Sequence, residues 1–280
     1  MMINKDSLRA RANHISAQLN ISQNVVYNRF FYDAFLTRLA KSKYKSRFVL
    51  KGGLYLSSLL GIDTRSTMDI DFFVRKISME KNKVVDIVKE IAATDVCDGI
   101  AFEVVGVGDI REEDPYGGFQ IVVCGRLENV RCQFGIDIAT GDPIVPSERS
   151  FQYKCLVTGE ELPLKAYSLE SVIAEKLETI LARSISNSRS KDYYDLYILR
   201  KTQLLNVDAF LLREAFHQTC LYRSFEISKS DAQTLMGEIG ENEQINNRWN
   251  QYCKKVKYTA DLSFKEVVAS IKAWIDFAME

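Results

Sequence analysis

Long apolar stretches are missing from this sequence. No run reaches the roughly 18 apolar residues that a membrane-spanning helix needs, and residues 1–11 are polar, without the hydrophobic segment of a signal peptide. We therefore expect a soluble, cytoplasmic protein with no membrane partner.

Cysteine patterns that bind metal are missing too. The 6 cysteines include no Cys-x-x-Cys pair, and His14 and His217 are the only histidines. Zinc sites and disulfide frameworks depend on such spacing or on export from the cell. We interpret the cysteines as reduced and mostly structural.

An excess of either charge is absent as well. Lysine plus arginine and aspartate plus glutamate each total 37, while 46% of the residues are hydrophobic. This composition predicts a folded protein. The zero net charge gives no bulk argument for nucleic acid as a partner, but a basic groove balanced by an acidic metal site stays compatible with it.

Hydrophobic periodicity separates a mixed N-terminal part from a helical C-terminal part. Two helices are predicted within residues 1–45, then a strand, a tight turn and a helix over residues 47–60. Further predicted strands cover residues 68–74, 101–107, 119–123, 130–138 and 152–155, with a helix at 79–93. This mixture predicts an α/β part with a largely antiparallel end.

From Ser168, which has the character of a helix N-cap, almost every segment favours a helix. The predicted helices cover residues 169–184, 191–200, 207–217, 231–236, 241–256 and 264–279. We place the domains at residues 1–165 and 166–280.

Two aspartates in the second predicted strand are the main candidates for chemistry. Asp69 and Asp71 alternate with Ile70 and Phe72, so both carboxylates share one face while the apolar side chains face the core. Mg²⁺ would relieve the repulsion between the carboxylates, and two-metal nucleotidyl transfer requires such a pair. For an isolated Asp-x-Asp, a solvated edge strand is the alternative.

Glycines precede this pair. Gly52 and Gly53, after Lys51, would let the backbone approach a phosphate, and the helix that follows offers free amides to an anion. Taken alone, the same glycines also suit an ordinary strand-to-helix turn. Arg65 and Thr67 are further candidates for nucleotide binding.

A third carboxylate usually completes a two-metal cluster. Asp137 is the best candidate because it lies in an apolar strand, where a carboxylate is costly unless it binds something. Asp142, after that strand, is a weaker candidate.

The predicted C-terminal helices carry a second group. Asp192 and Asp195 are three residues apart and share a helical face, and Lys176 lies one helix earlier. Lysine could hold a β- or γ-phosphate as a compact charge, positioned by an aspartate. Alternatively, Lys176 is a surface residue and one aspartate merely pairs with Arg189. Which aspartate is functional stays open.

In their order and spacing, these motifs resemble the AbiEii/AbiGii toxin family of nucleotidyltransferases, a branch of the polymerase-β-like superfamily. The match spans roughly residues 45–200. Its residues are Lys51-Gly52-Gly53, Arg65, Asp69-Ile70-Asp71, Glu175-Lys176, and Arg189 with Asp192 and Asp195.

The resemblance implies an α+β fold, with a polymerase-β-like nucleotidyltransferase core of mixed sheet and flanking helices followed by a helical domain. It implies a nucleoside triphosphate as substrate and an RNA acceptor such as tRNA. It also implies a place in a toxin–antitoxin or phage-defence pair, where the partner is often an antitoxin.

The resulting hypothesis assigns roles to each candidate. Two Mg²⁺ ions bind Asp69, Asp71 and Asp137. Nucleotide binding involves Lys51, Gly52, Gly53, Arg65, Thr67 and Lys176. The catalytic set is Asp69, Asp71, Lys176, Asp192 and Asp195.

Two other functions stay open. Many superfamily members have serine or threonine where this chain has Leu54, which motivates a nucleotide-binding module without turnover. A protein hydroxyl could also be the acceptor. The residues themselves do not identify which nucleotide is used, which molecule is the acceptor, whether a cognate antitoxin exists, or the oligomeric state.

Overall fold

The computed structural model describes residues 3–110 and 117–279. The chain divides into two compact units, the first comprising Met1–Gly141 and Arg149–Ala166 and the second Asp142–Glu148 and Tyr167–Glu280. The domain boundary drawn from the sequence stays a prediction, since compact packing alone does not show that either unit folds on its own.

The first unit is built from four helices and seven strands among its described residues. They are α1 (Lys5–Leu19), α2 (Gln23–Lys41), β1 (Phe48–Lys51), α3 (Gly52–Leu60), β2 (Asp69–Val74), α4 (Lys81–Ala92), β3 (Ile100–Ile110), β4 (Gly118–Leu127), β5 (Val130–Ala139), β6 (Arg149–Lys154) and β7 (Glu161–Ala166). The strands form one sheet in the order β3-β4-β5-β2-β1-β7-β6.

Parallel and antiparallel pairs are combined in this sheet. β2 pairs with β5 and β1 with β7 in parallel, whereas the remaining neighbours are antiparallel. The predicted α+β fold, a mixed sheet with flanking helices, is therefore confirmed.

One face of the sheet packs against α2. The Phe35 ring meets Phe102 on β3 and Phe134 on β5 edge-to-face, with centroids 6.0 and 6.4 Å apart, and Phe31 meets Phe102 at 6.5 Å. Edge-to-face pairs of this kind stabilise a core beyond the burial of their surface. Ile136, two residues after Phe134 on β5, therefore lies on this face, and Asp137 lies on the opposite one.

The second unit is helical, and its described residues form six α-helices. They are α5 (Leu169–Arg183), α6 (Ser190–Gln203), α7 (Ala209–Tyr222), α8 (Lys229–Glu241), α9 (Glu243–Lys255) and α10 (Phe264–Ala278). Trp274 on α10 is fully buried and donates its indole N–H to the Leu196 carbonyl of α6 at 2.9 Å. The predicted C-terminal helices are thus confirmed as elements.

Helix starts were predicted better than element lengths. The Ser168 hydroxyl accepts a hydrogen bond from the Ser171 N–H at 3.1 Å, which confirms this N-cap. The predicted helix at 231–236 was too short at both ends, since α8 begins at Lys229, after the cap at Ser228, and continues to Glu241. The predicted strands at 101–107 and 119–123 were also too short, and β7 was not predicted.

None of the helices in residues 3–110 and 117–279 combines the length and the apolar character that crossing a membrane requires.

A buried ion pair ties α2 to other elements of the first unit. Arg29 Nε lies 3.2 Å from Asp33 Oδ1, and the Arg29 guanidinium also donates to Ser57 and Ser58 on α3 at 3.1 and 2.7 Å. The Tyr153 hydroxyl of β6 donates to the same Asp33 oxygen. Burial raises the pKa of Asp33, although Arg29 and Tyr153 favour its charged form.

Arg29→Met removes the cation and leaves the buried Asp33 carboxylate with fewer partners. We expect the free energy of unfolding to fall by about 3–5 kcal/mol, the usual consequence of breaking a buried ion pair from one side. Urea unfolding followed by circular dichroism measures this loss. Lys43→Met, which removes an exposed pair with Glu90, is the control and should change stability little; equal losses in both variants would contradict the prediction.

Candidate active site

The junction between β1 and α3 contains no loop. Lys51 is the last residue of the strand and Gly52 the first of the helix. Gly52 has a φ of +61°, a backbone conformation that L-residues with a side chain rarely adopt. The glycine therefore allows the chain to turn directly from the sheet into the helix.

Side chains from β2 and from the segment just before it crowd this turn. A Cβ atom on Gly52 would lie 2.2 Å from Asp71 Oδ2, and one on Gly53 would lie 2.5 Å from Thr67 Oγ1 and 3.5 Å from an Arg65 nitrogen. The Gly53 N–H donates to Asp71 Oδ2 at 3.1 Å. The two glycines thus admit a carboxylate, a hydroxyl and a guanidinium to the N-terminal turn of α3.

Strand register aligns four polar residues across the sheet. Lys51 pairs with Asp71, Asp71 with Asp137, and Asp137 with Gln120, so each of β1, β2, β5 and β4 contributes one side chain to the same face. Neighbouring strands lie about 4.8 Å apart. We call these four residues, Lys51, Asp71, Asp137 and Gln120, the polar row.

Asp69 lies two residues before Asp71 on the same face. Its partner in register is Gly135 of β5, where a Cβ atom would come within 2.8 Å of Asp69 Oδ1 and 3.2 Å of Gln120 Nε2. Gly135 therefore leaves room for the carboxylate and the amide.

The opposite face of the same strands is apolar. Ile70, Phe72 and Ile136 are at most 1% exposed, as the alternation of the sequence predicts. Asp69, Asp71 and Asp137 are half-buried. The predicted division between a core face and a carboxylate face is confirmed for β2.

The chemistry of these carboxylates suits a hard cation such as Mg²⁺, which prefers oxygen ligands. In the part of the chain that the structure describes, however, no group of three or more His, Cys, Asp or Glu side chains is arranged to hold a metal ion. Asp71 instead accepts from the Gly53 N–H, and Asp137 Oδ1 accepts from the Gln120 amide at 2.8 Å. The residues therefore fit the ion by donor type.

The second candidate group lies within the second unit. Lys176 Nζ on α5 is 2.7 Å from Asp192 Oδ1 and 2.8 Å from Asp195 Oδ2, both on α6. Asp192 also meets Arg189 Nε at 3.0 Å. Two carboxylates, those of Asp192 and Asp195, thus contact the ammonium group of one lysine.

Burial lowers the pKa of Lys176, but Asp192 and Asp195 outweigh it and raise the pKa above its ordinary value. Lys176 is therefore a protonated cation at neutral pH. The Asp195 side chain is fully buried, so its contact with Lys176 positions the lysine.

The serines of α3 and the weaker carboxylate candidate Asp142 each have structural partners. The Ser57 and Ser58 hydroxyls, one turn into α3, accept hydrogen bonds from Arg29. Asp142 belongs to the second unit, is 3% exposed and lies 3.3 Å from Arg223. The polar-row residue Gln120 was not predicted, because only the pairing of β4 with β5 brings it to Asp137.

Comparison with solved structures supports the fold. JHP933 from Helicobacter pylori is 14% identical, with a TM-score of 0.52 and coverage of 92% of this chain and 93% of that protein. A proposed nucleotidyltransferase from H. pylori is 14% identical, with a TM-score of 0.50 and coverage of 92% and 96%. No curated protein matches the chain in sequence.

A family model described as "Nucleotidyl transferase AbiEii toxin, Type IV TA system" matches residues 34–270. The chain therefore belongs to the AbiEii family of nucleotidyltransferase toxins, as the motifs indicated.

Gly52→Ala tests the crowded turn. The new methyl group would displace Asp71 in addition to the roughly 1–2 kcal/mol of backbone strain at positive φ, so we expect nucleotidyl transfer to fall at least about tenfold. Gly159→Ala is the matched control, since its φ is +72° and no described atom lies within 4 Å of the added carbon. Activity assays on both variants should separate displacement from strain; equal activities would contradict the role of Gly52.

Lys176→Met tests the buried cation. We expect a loss of about 3–5 kcal/mol of stability, against little change for the exposed Lys191→Met. Because the folded-state pKa is raised above the unfolded value of about 10.4, the contribution of Lys176 is complete below that pH and is lost only as the pH rises through the higher folded value. Urea unfolding at about pH 7 and about pH 9 should therefore give equal differences; a smaller difference at about pH 9 would contradict a charged lysine.

Proposed function

We propose that the protein transfers a nucleoside monophosphate from a nucleoside triphosphate to an RNA acceptor, such as tRNA, in a Mg²⁺-dependent reaction. The observation that carries this proposal is the polar row beside the N-terminal turn of α3. It combines carboxylates for a cation with backbone amides and basic groups for phosphates.

Asp69, Asp71 and Asp137 would hold Mg²⁺, with two ions expected from the chemistry of this reaction class. When bound, the metal offsets the charge of the triphosphate and lowers the pKa of the acceptor hydroxyl. The protein's own contribution is to keep three carboxylates on one face of a rigid sheet, with Asp71 directly opposite Asp137 in register.

Phosphate binding is proposed for the turn itself. Lys51 and Arg65 supply positive charge, and Gly52 and Gly53 allow close approach to the helix N-terminus, where amide dipoles favour an anion. Thr67 would supply the hydroxyl donor that Leu54 lacks. Its hydroxyl lies against Gly53, so a donor reaches the turn from the segment before β2 rather than from α3.

Lys176 is proposed to bind phosphate as a fixed cation. Asp192 and Asp195 hold its ammonium group at 2.7 and 2.8 Å, which limits its motion and keeps it charged. Both aspartates then act as positioning residues.

In the proposed reaction, the acceptor hydroxyl oxygen forms a bond to the α-phosphorus. The bond between the α-phosphorus and the oxygen bridging to the β-phosphate breaks, pyrophosphate leaves, and the hydroxyl proton is released. An antitoxin partner and a cytoplasmic location follow from the type IV toxin family as parts of the same proposal.

The test is transfer from each of the four α-³²P-labelled nucleoside triphosphates, with Mg²⁺ and total bacterial RNA, analysed on denaturing gels. We expect label on a tRNA-sized band. Asp69→Asn and Asp71→Asn should reduce it about 100-fold or more, because several kcal/mol of charge stabilisation is lost. Asp86→Asn, an exposed carboxylate on α4, is the control and should keep full activity.

The other outcomes are equally informative. Label on protein instead of RNA would replace the acceptor, and nucleotide binding without any label would favour a module without turnover. Full activity in Asp69→Asn and Asp71→Asn would show that the metal assignment is wrong.

A further inference from the structure

Gln120 is the member of the polar row that the sequence analysis did not predict. It lies on β4 directly opposite Asp137 of β5, and its side-chain Nε2 donates to Asp137 Oδ1 at 2.8 Å. Both side chains are half-buried on the carboxylate face of the sheet. The hydrogen bond therefore lies inside the candidate active site and not on the solvated rim.

We infer that Gln120 is a positioning residue, which fixes the Asp137 carboxylate for metal binding. This inference rests on the proposed function, because it assumes that Asp137 is a ligand. When a residue that hydrogen-bonds a metal ligand and holds its orientation is removed, the metal affinity typically falls by about 10–100-fold.

A neutral donor suits this position better than a charged one. Asp71 and Asp137 are neighbours in register, and their mutual repulsion favours turning one carboxylate away from the other. An amide opposes that rotation by one hydrogen bond without adding charge. A lysine or arginine at position 120 would hold Asp137 as well, but its positive charge would weaken the attraction of the site for a cation.

Gly135 shows that the amide also lies close to a second carboxylate. A Cβ atom at this position would be 3.2 Å from Gln120 Nε2 and 2.8 Å from Asp69 Oδ1. Gln120 and Asp69 therefore share the space above one glycine. This places Gln120 beside two of the three proposed ligands.

The variant to make is Gln120→Met, which keeps the length of the side chain and removes the donor. Binding of Mn²⁺ to the full chain, in the presence of a non-hydrolysable triphosphate analogue, is followed from the electron paramagnetic resonance signal of the unbound ion. We expect the dissociation constant to rise about 10-fold or more, with an unchanged unfolding midpoint. Gln120→Ala provides the same measurement should Gln120→Met not fold.

Gln133→Leu is the matched control, since Gln133 is an exposed glutamine on β5, the strand of Asp137. It should bind Mn²⁺ like the wild type. Asp137→Asn separates the two levels of the proposal. Wild-type affinity in Gln120→Met combined with loss in Asp137→Asn would overturn the positioning role alone, whereas wild-type affinity in both would overturn the proposed metal set.

Discussion

The parallel pairing of β2 with β5 is the constraint on which the candidate site depends. Only this register sets Asp71 opposite Asp137 and Asp69 opposite Gly135. A slip of one residue would turn one set of carboxylates toward the core, because successive side chains point to opposite faces. The full burial of Ile70 and Ile136 opposes that slip. Packing on the apolar face thus positions the chemistry on the other face.

The second constraint is the absence of a side chain at two glycines, which lets the carboxylates approach the backbone closely. Gly52 admits the Asp71 carboxylate to the first turn of α3, and Gly135 admits Asp69 to β5. At both positions even one methyl group would overlap a carboxylate oxygen. Gly52 and Gly135 therefore shape the site for the protein's own aspartates.

Features set by residues close together in the chain could be predicted from the sequence, whereas features set by pairing between distant strands could not. The shared face of Asp69 and Asp71 followed from strand alternation, and the N-cap at Ser168 from local chemistry. Gln120 could not be found in this way, because its partner Asp137 is set by pairing between strands. β7 was missed for a related reason, since its hydrogen bonds come from β1 and β6.

Local charge distinguishes the two groups of aspartates. In the second unit, Asp192 and Asp195 meet Lys176 and Arg189, so two cations balance two carboxylates. Such a group attracts a metal ion weakly because its charges are balanced. On the sheet, by contrast, Asp69, Asp71 and Asp137 outnumber the nearby cations Lys51 and Arg65. The carboxylate face therefore favours a cation more than the group on α5 and α6 does, which is why the proposed metal site lies in the first unit.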